Sequence, residues 1–224
     1  MHPLDNCIYQ ALTTSQRQFA QVNGPACRYI PEVTSLAGFS APTPDAYSAL
    51  AELIEEGKTT GVVVDKAPES LPQWRVLRDT PLLQMVYEPT SVAVEQLDTV
   101  ELSAPDNPEM LALAELTKPG PFGTRTHELG RYIGLRQEGK LIAMAGERVR
   151  VPDFTEISAV CTHPDHAGHG YARRLMNILI ADILGRGETP FLHVRADNDR
   201  AIGLYERMGF FTRYSGRHVV IRKL

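Results

Sequence analysis

Hydrophobic and polar positions alternate in short runs along the first ninety residues and then settle into longer elements. Pro44 and Asp45 open a predicted helix whose Leu50, Leu53 and Ile54 share one face, with Gly57 as its stop. Thr60-Gly-Val-Val-Val follows as a strand, because β-branched residues crowd a helix and fit a pleated sheet. After the apolar run 82–86, the turn residues Tyr87-Glu88-Pro89-Thr90-Ser91 mark a boundary, since Pro89 drives its predecessor out of helical backbone. Beyond it the pattern predicts a strand over 92–97 and a helix over 107–116 opened by Asp106-Asn107-Pro108. Strands over 131–136 and 141–146 are joined by a compact hairpin at Glu138-Gly139-Lys140. A strand over 155–162, a long helix over 171–184, a strand over 191–195, a helix over 198–208 and a strand over 217–222 complete the chain. A hairpin meander feeding a strand-helix-strand unit implies an α/β (α+β) fold: a mixed, mostly antiparallel sheet flanked by helices, with a smaller N-terminal α/β part. No internal repeat is visible.

Composition narrows the classes. The 224 residues carry 23 Lys+Arg against 27 Asp+Glu, and a pI near 6.0 argues against non-specific nucleic-acid binding. Residues 1–90 hold 6 basic and 10 acidic residues and so the whole net charge of -4, whereas residues 91–224 balance at 17 of each. The expected division is therefore a first part, 1–90, of unassigned role and a second part, 91–224, that carries the chemistry. No window is apolar enough to span a bilayer, and no export signal opens the chain, so neither a membrane nor a nucleic acid is an expected partner. Three cysteines, Cys7, Cys27 and Cys161, fit free thiols in a reducing, cytoplasmic setting.

The stretch from Val160 to Met176 is the most informative. A strand ends, Gly168 and Gly170 allow a tight turn, and a helix begins at once. The unpaired N–H groups of that first turn, reinforced by the helix dipole, make an anion site without a lysine. A Walker loop is absent, and the third glycine of a dinucleotide fingerprint is replaced by Arg173. His163, His166 and His169 lie around the turn and not on one helical stripe, and no Glu or Cys completes a ligand set, so they read as a polar turn and no metal is expected. Ala172, Leu175, Met176, Leu179, Ile180 and Ile183 form the apolar stripe of the helix that follows.

Ala201, Leu204, Tyr205 and Met208 share one face of the next helix, capped by Asp197 or Asn198, so Tyr205 leans toward the sheet. Taken alone, Tyr205 reads as core filling. Strict alternation places Glu156, Ser158, Val160 and Thr162 on one side of their strand and Ile157, Ala159 and Cys161 on the other. Without further context Glu156 reads as a carboxylate on a half-solvated face.

Three blocks recur in order and spacing: 156–172, then Phe191-Leu-His-Val-Arg-Ala-Asp-Asn, then Ala201-Ile-Gly-Leu-Tyr-Glu-Arg-Met-Gly-Phe. Together they resemble the GNAT superfamily of acyl-CoA N-acyltransferases, in wording closest to its glycine-N-acyltransferase-like branch. The resemblance covers 91–224; the first part matches no nameable family, although degenerate GNAT-like halves occur in the superfamily. The family's phosphate motif runs Gln or Arg, two residues, Gly, one residue, Gly or Ala. Gly170 and Ala172 fit its last positions, while Ala167 stands where Gln or Arg is usual.

The resemblance implies direct transfer of an acyl group from acetyl-CoA, or another acyl-CoA, to a small-molecule amine or amino-group acceptor. Glu156 would serve as general base, directly or through water, and Tyr205 as the acid that protonates the thiolate. Val160, Cys161 and Thr162 would pair with the pantetheine arm, a backbone N–H near Val160 or Cys161 polarising the carbonyl. Ala167, Gly168, His169, Gly170, Tyr171, Ala172 and Arg173 would hold the pyrophosphate, and Asn198 would bond the pantetheine or the nearby helix. Cys161 would be packing and not a nucleophile. A homodimer is common among such proteins. The other reading is a non-catalytic acyl-CoA-binding or sensing protein.

Overall fold

The computed structural model describes residues 2–68, 71–88 and 97–224. In chain order the elements are α1 (Cys7–Thr13), β1 (Ala20–Asn23), β2 (Ala26–Tyr29), β3 (Leu36–Phe39), α2 (Pro44–Glu52), β4 (Thr59–Val64) and β5 (Trp74–Tyr87). They continue with β6 (Val100–Glu101), α3 (Asn107–Thr117), β7 (Tyr132–Gln137), β8 (Lys140–Val151) and β9 (Phe154–Thr162). The chain closes with α4 (Tyr171–Gly185), β10 (Thr189–Arg195), α5 (Asp199–Arg207) and β11 (Phe210–Lys223). The second-part elements fall where periodicity predicts them, but β8 and β11 run well past their expected ends. The strand expected over 92–97 lies, but for Leu97, outside the described residues.

Among the described residues, eleven strands join one sheet in the order β1-β2-β3-β4-β11-β5-β10-β9-β8-β7-β6. Apart from the short β6 at one edge, the arrangement reads alike from both ends. β1, β2 and β3 pair antiparallel, as do β7, β8 and β9; β3 pairs parallel with β4, as β9 does with β10. A helix links each parallel pair, as right-handed crossovers require: α2 in the first half, α4 in the second. The final strand of each half is exchanged. β5 pairs with β10, β11 pairs with β4, and the two lie side by side over most of their length.

This topology changes the meaning of the boundary near residue 90. The first part is built into the same sheet as the second, because Trp74–Tyr87 is inserted between two strands of the second part. The core crosses the boundary as well: Leu4, Ile8, Ala11 and Leu12 of the first part pack with Val149, Val151 and Phe191 of the second. The repeat is invisible in the sequence because it resides in connectivity and not in residue identity.

Helix α4 buries Leu175, Met176, Leu179, Ile180 and Ile183 at 0 % exposure against Ile133, Ala143, Ile157 and Leu192. Each such side chain contributes on the order of 1.5–3 kcal/mol by leaving water, which fixes the helix start relative to the end of β9. Helix α3 packs on the opposite face over Ala159 and Cys161. The hairpin between β7 and β8 turns on Glu138 and Gly139, both with positive φ (53° and 79°), the geometry that matches strand twist.

Candidate active site

The site begins where the sheet parts. β9 and β10 pair only at Phe154/Thr189, Thr155/Pro190 and Phe191/Glu156, and beyond these they diverge. The diverging edge of β9 carries a bulge: between Ser158 and Cys161 it has one residue more than β8, and Ala159 takes φ 51° to absorb it. A non-glycine residue in left-handed backbone is strained, and such strain is held only where surrounding packing over-determines it. The bulge also breaks the expected alternation. Ile157 and Val160 both pack toward α4, whereas Ala159 and Cys161 both pack toward α3. Val160 therefore does not share the α3-facing side with its neighbours, and Cys161 is buried, its thiol pushed up to about 11 by burial.

From Thr162 the chain passes a 3-10 turn, Pro164–His166, and enters α4. Ala167 is extended, Gly168 has φ 86°, and Gly170, the residue before the helix, has φ 74°. No side chain caps α4. A β-carbon at Gly168 or Gly170 would meet nothing within 4 Å, so these glycines serve the backbone path and leave open space above it. The His169 ring stacks on Tyr171 (centroids 5.5 Å, 13°), and its Nδ1 lies 3.2 Å from the His166 carbonyl oxygen. Ala172 and Arg173 complete the first turn. A parted strand pair running into an uncapped helix start suits a long thioester whose phosphates sit on backbone N–H groups.

On the α1 side of the wedge lies a buried charge network. Glu156 is 0 % exposed. Its two oxygens take hydrogen bonds from Arg148 Nε (2.9 Å) and Nη2 (2.7 Å), and His193 Nδ1 stands 2.7 Å from Oε1. Burial alone would raise the carboxyl, but Arg148, followed by His193, outweighs it and holds the group at about 2. Glu156 is thus an engaged carboxylate and not the half-solvated one expected from alternation. The His193 side chain is 6 % exposed. Burial opposes its charge, yet hydrogen bonds to Cys7 and Glu156 push it up to about 9. Gln84 exerts the opposite demand. Arg213 Nη1 donates to Gln84 Oε1 (3.0 Å), which turns the Gln84 amide nitrogen toward the Leu4 carbonyl oxygen (3.0 Å) and His193 Nε2 (3.2 Å). An amide donor at Nε2 favours a ring with a lone pair there, so His193 is poised between a carboxylate and an amide.

Tyr205 lies on the α4 side, packed edge-on to Phe210 (6.1 Å), and burial pushes its hydroxyl up to about 12. The wedge thus separates Tyr205 from the Glu156 network on the other face. Asn198 caps α5, its Oδ1 accepting from Ala201 N (3.2 Å), while Asp197 pairs with Arg195. The sequence reading missed Arg148, His193, Gln84 and Cys7. His193 was within reach: it stands two residues after Phe191, the register partner of Glu156, so period two places it on the face that Phe191 shares with the α1 core.

Residues 132–219 match the family model described as FR47-like protein. The chain is 34% identical over 118 residues to the [ribosomal protein bS18]-alanine N-acetyltransferase of Escherichia coli, covering 52% of this chain and 79% of that protein. It is 39% identical over 82 residues to the N-alpha-acetyltransferase RimI of Mycobacterium tuberculosis, covering 35% of this chain and about half, 51%, of that protein. A crystal structure from Novosphingobium aromaticivorans, assigned to the GNAT family of acetyltransferases, aligns over 100% of both chains at TM-score 0.92 and 36% identity. The curled, mostly antiparallel sheet with helices on both faces is the fold this chain shares with that crystal structure. The chain belongs to the GNAT family of acetyltransferases.

Proposed function

We propose that the chain transfers an acetyl group from acetyl-CoA directly to a primary amine, with His193 as proton acceptor, Glu156 as its positioning residue and Tyr205 as proton donor. The observation that carries this reading is the placement of His193 beside the parting strands, with Nδ1 on Glu156 and Nε2 facing Gln84. A carboxylate held at about 2 with both oxygens engaged is a weak base; one that orients an imidazole is a good support for a stronger one. The amine loses its proton toward Nε2, and the Tyr205 hydroxyl supplies one to the departing thiolate.

Backbone N–H groups of Gly168 to Arg173 hold the pyrophosphate, and Val160 to Thr162 pair with the pantetheine arm. Ala167 leaves out one side-chain contact of the usual motif. The resemblance to the glycine-N-acyltransferase-like branch rests on these cofactor blocks, and a primary amine is the acceptor class such enzymes have in common with the alanine N-acetyltransferases above. Free, buried thiols at Cys7, Cys27 and Cys161 suit a reducing, cytoplasmic setting. No described helix is long and apolar enough to cross a membrane.

The test is thiol release from acetyl-CoA against a panel of amines, with product masses recorded. His193→Gln should lower turnover by about 10²–10⁴-fold while acetyl-CoA still binds. Unaltered turnover in that variant removes His193 as base, and a wild-type chain that binds acetyl-CoA but acetylates no amine supports a sensing role instead.

A further inference from the structure

The exchanged topology gives the first half its own parted strand pair. β3 and β4 pair in parallel only at Leu36/Gly61 and Ala37/Val62, as β9 and β10 do at their own start. A cavity of about 410 Å³ opens in that wedge, its wall including Asp5, Asn6, Cys7, Asp65, Gln84 and Tyr214. Such a volume holds a small molecule.

Two features decide what it can hold. The first is what the equivalent helix start lacks. Helix α2 begins with Pro44, which has no N–H, the Thr43 hydroxyl already accepts from Ala46 N, and Asp45 adds negative charge in the first turn. No glycine pair replaces that of the second half. The first-half wedge is thus a poor place for a pyrophosphate. The second is the charge of its surroundings. Asp5 is paired with Arg213, and Asp65 accepts from the Tyr214 hydroxyl. Arg213 thus answers Asp5, and Asp65 is the lining carboxylate against which an ammonium can be placed.

The cavity also points at the chemistry. Gln84, in its wall, has its side-chain amide nitrogen 3.2 Å from Nε2 of the His193 ring. A molecule filling the cavity is therefore one side chain away from the proton acceptor, on the face opposite Tyr205.

We infer that the β3–β4 wedge is the acceptor pocket, and that it takes a small diamine-like cation. One ammonium sits against Asp65 while the second amine, uncharged, reaches toward His193. The inference rests on the amine-acetylation reading, and it assigns to the first half a substrate role in place of a second acyl-CoA.

The experiment is calorimetric titration of the full chain, saturated with CoA, with 1,4-diaminobutane and with butylamine, whose single amine, placed toward His193, leaves Asp65 without an ammonium. Wild type should bind the diamine at least tenfold more tightly. Asp65→Asn should erase that preference without changing CoA affinity, and Ala41→Trp, built from the exposed mouth of the cavity, should weaken both amines. Equal binding of the two amines, no amine binding, or an unaltered preference in Asp65→Asn overturns the inference. Acetyl transfer to butylamine with no diamine preference sinks the pocket alone. Diamine binding as described with no acetyl transfer to any amine sinks the enzymatic reading instead.

Discussion

Replacing Arg148 by Met tests the buried charge network most directly. In the folded protein Glu156 is held at about 2 against an ordinary 4.5, a difference that corresponds to about 3 kcal/mol of stability at neutral pH. A carboxyl lowered by folding contributes that stability above its unfolded value, and the contribution is lost as pH falls from about 4.5 toward 2. In Arg148→Met the same carboxylate is left at 0 % exposure with His193 as its remaining charged partner. Breaking a buried pair in this way costs about 3–5 kcal/mol, and the retained imidazole places the expectation near 3. Without Arg148, burial raises Glu156, so the group takes up a proton more readily as the medium is acidified. Because wild-type Glu156 stays ionised down to about 2, the loss should still be about 2 kcal/mol at pH 4 and should fall to roughly half its neutral value near pH 3. Urea unfolding measures this through the single tryptophan, Trp74, and backbone circular dichroism, whose coincidence checks for one transition. The double variant Arg148→Met/Glu156→Gln should recover at least half of the loss, since no bare charge remains. A loss below 1 kcal/mol at pH 7.5, or one that does not change with pH, would refute the reasoning.

Further expectations follow from the same geometry. With His193 pushed up to about 9, kcat/KM should rise with pH up to about 9; the limb should persist when an acceptor amine of different pKa is used, and vanish in His193→Gln. Tyr205→Phe should lower turnover at least tenfold with acetyl-CoA affinity within twofold of wild type, measured by thiol release and direct titration; unchanged turnover removes its acid role. Ala167→Gln should tighten acetyl-CoA binding by roughly 2- to 10-fold, the worth of one added hydrogen bond to a phosphate, read by calorimetry. Gly170→Ala places a β-carbon at φ 74°, costing on the order of 1 kcal/mol in thermal unfolding and weakening acetyl-CoA binding as the turn readjusts.

How much of this could be read from sequence depends on the range of the interaction. Helix α4, the Gly168-x-Gly170 turn and the hairpin at Glu138-Gly139 are set by residues within a few positions of one another, so periodicity and turn chemistry reveal them. The bulge at Ala159 is not, because it comes from a mismatch in count with β8, and nothing local marks alanine for left-handed backbone. The Glu156 network is equally hidden. Arg148 is eight residues away across a bulged hairpin, Gln84 meets His193 across 109 positions, and Cys7 arrives from the start of the chain. The first half misled for a related reason. Its strands are short, and its longest, β5, has exposed Val76 and Leu77 beside Arg75 and Arg78, so alternation there is weak.

The exchange of β5 and β11 also fixes an order of events during synthesis. β5 is complete once residue 87 is made, yet both strands that flank it, β10 and β11, lie more than 100 positions further on. Until they emerge, β5 has two open edges and its apolar Met85, Val86 and Tyr87 have no strand to lie against. Pairings this distant in sequence make folding slow and expose the nascent chain to aggregation. The protein should therefore reach its native state only after β11 has emerged from the ribosome, and a stalled chain ending before residue 189 should be held by chaperones and cut readily within 74–87.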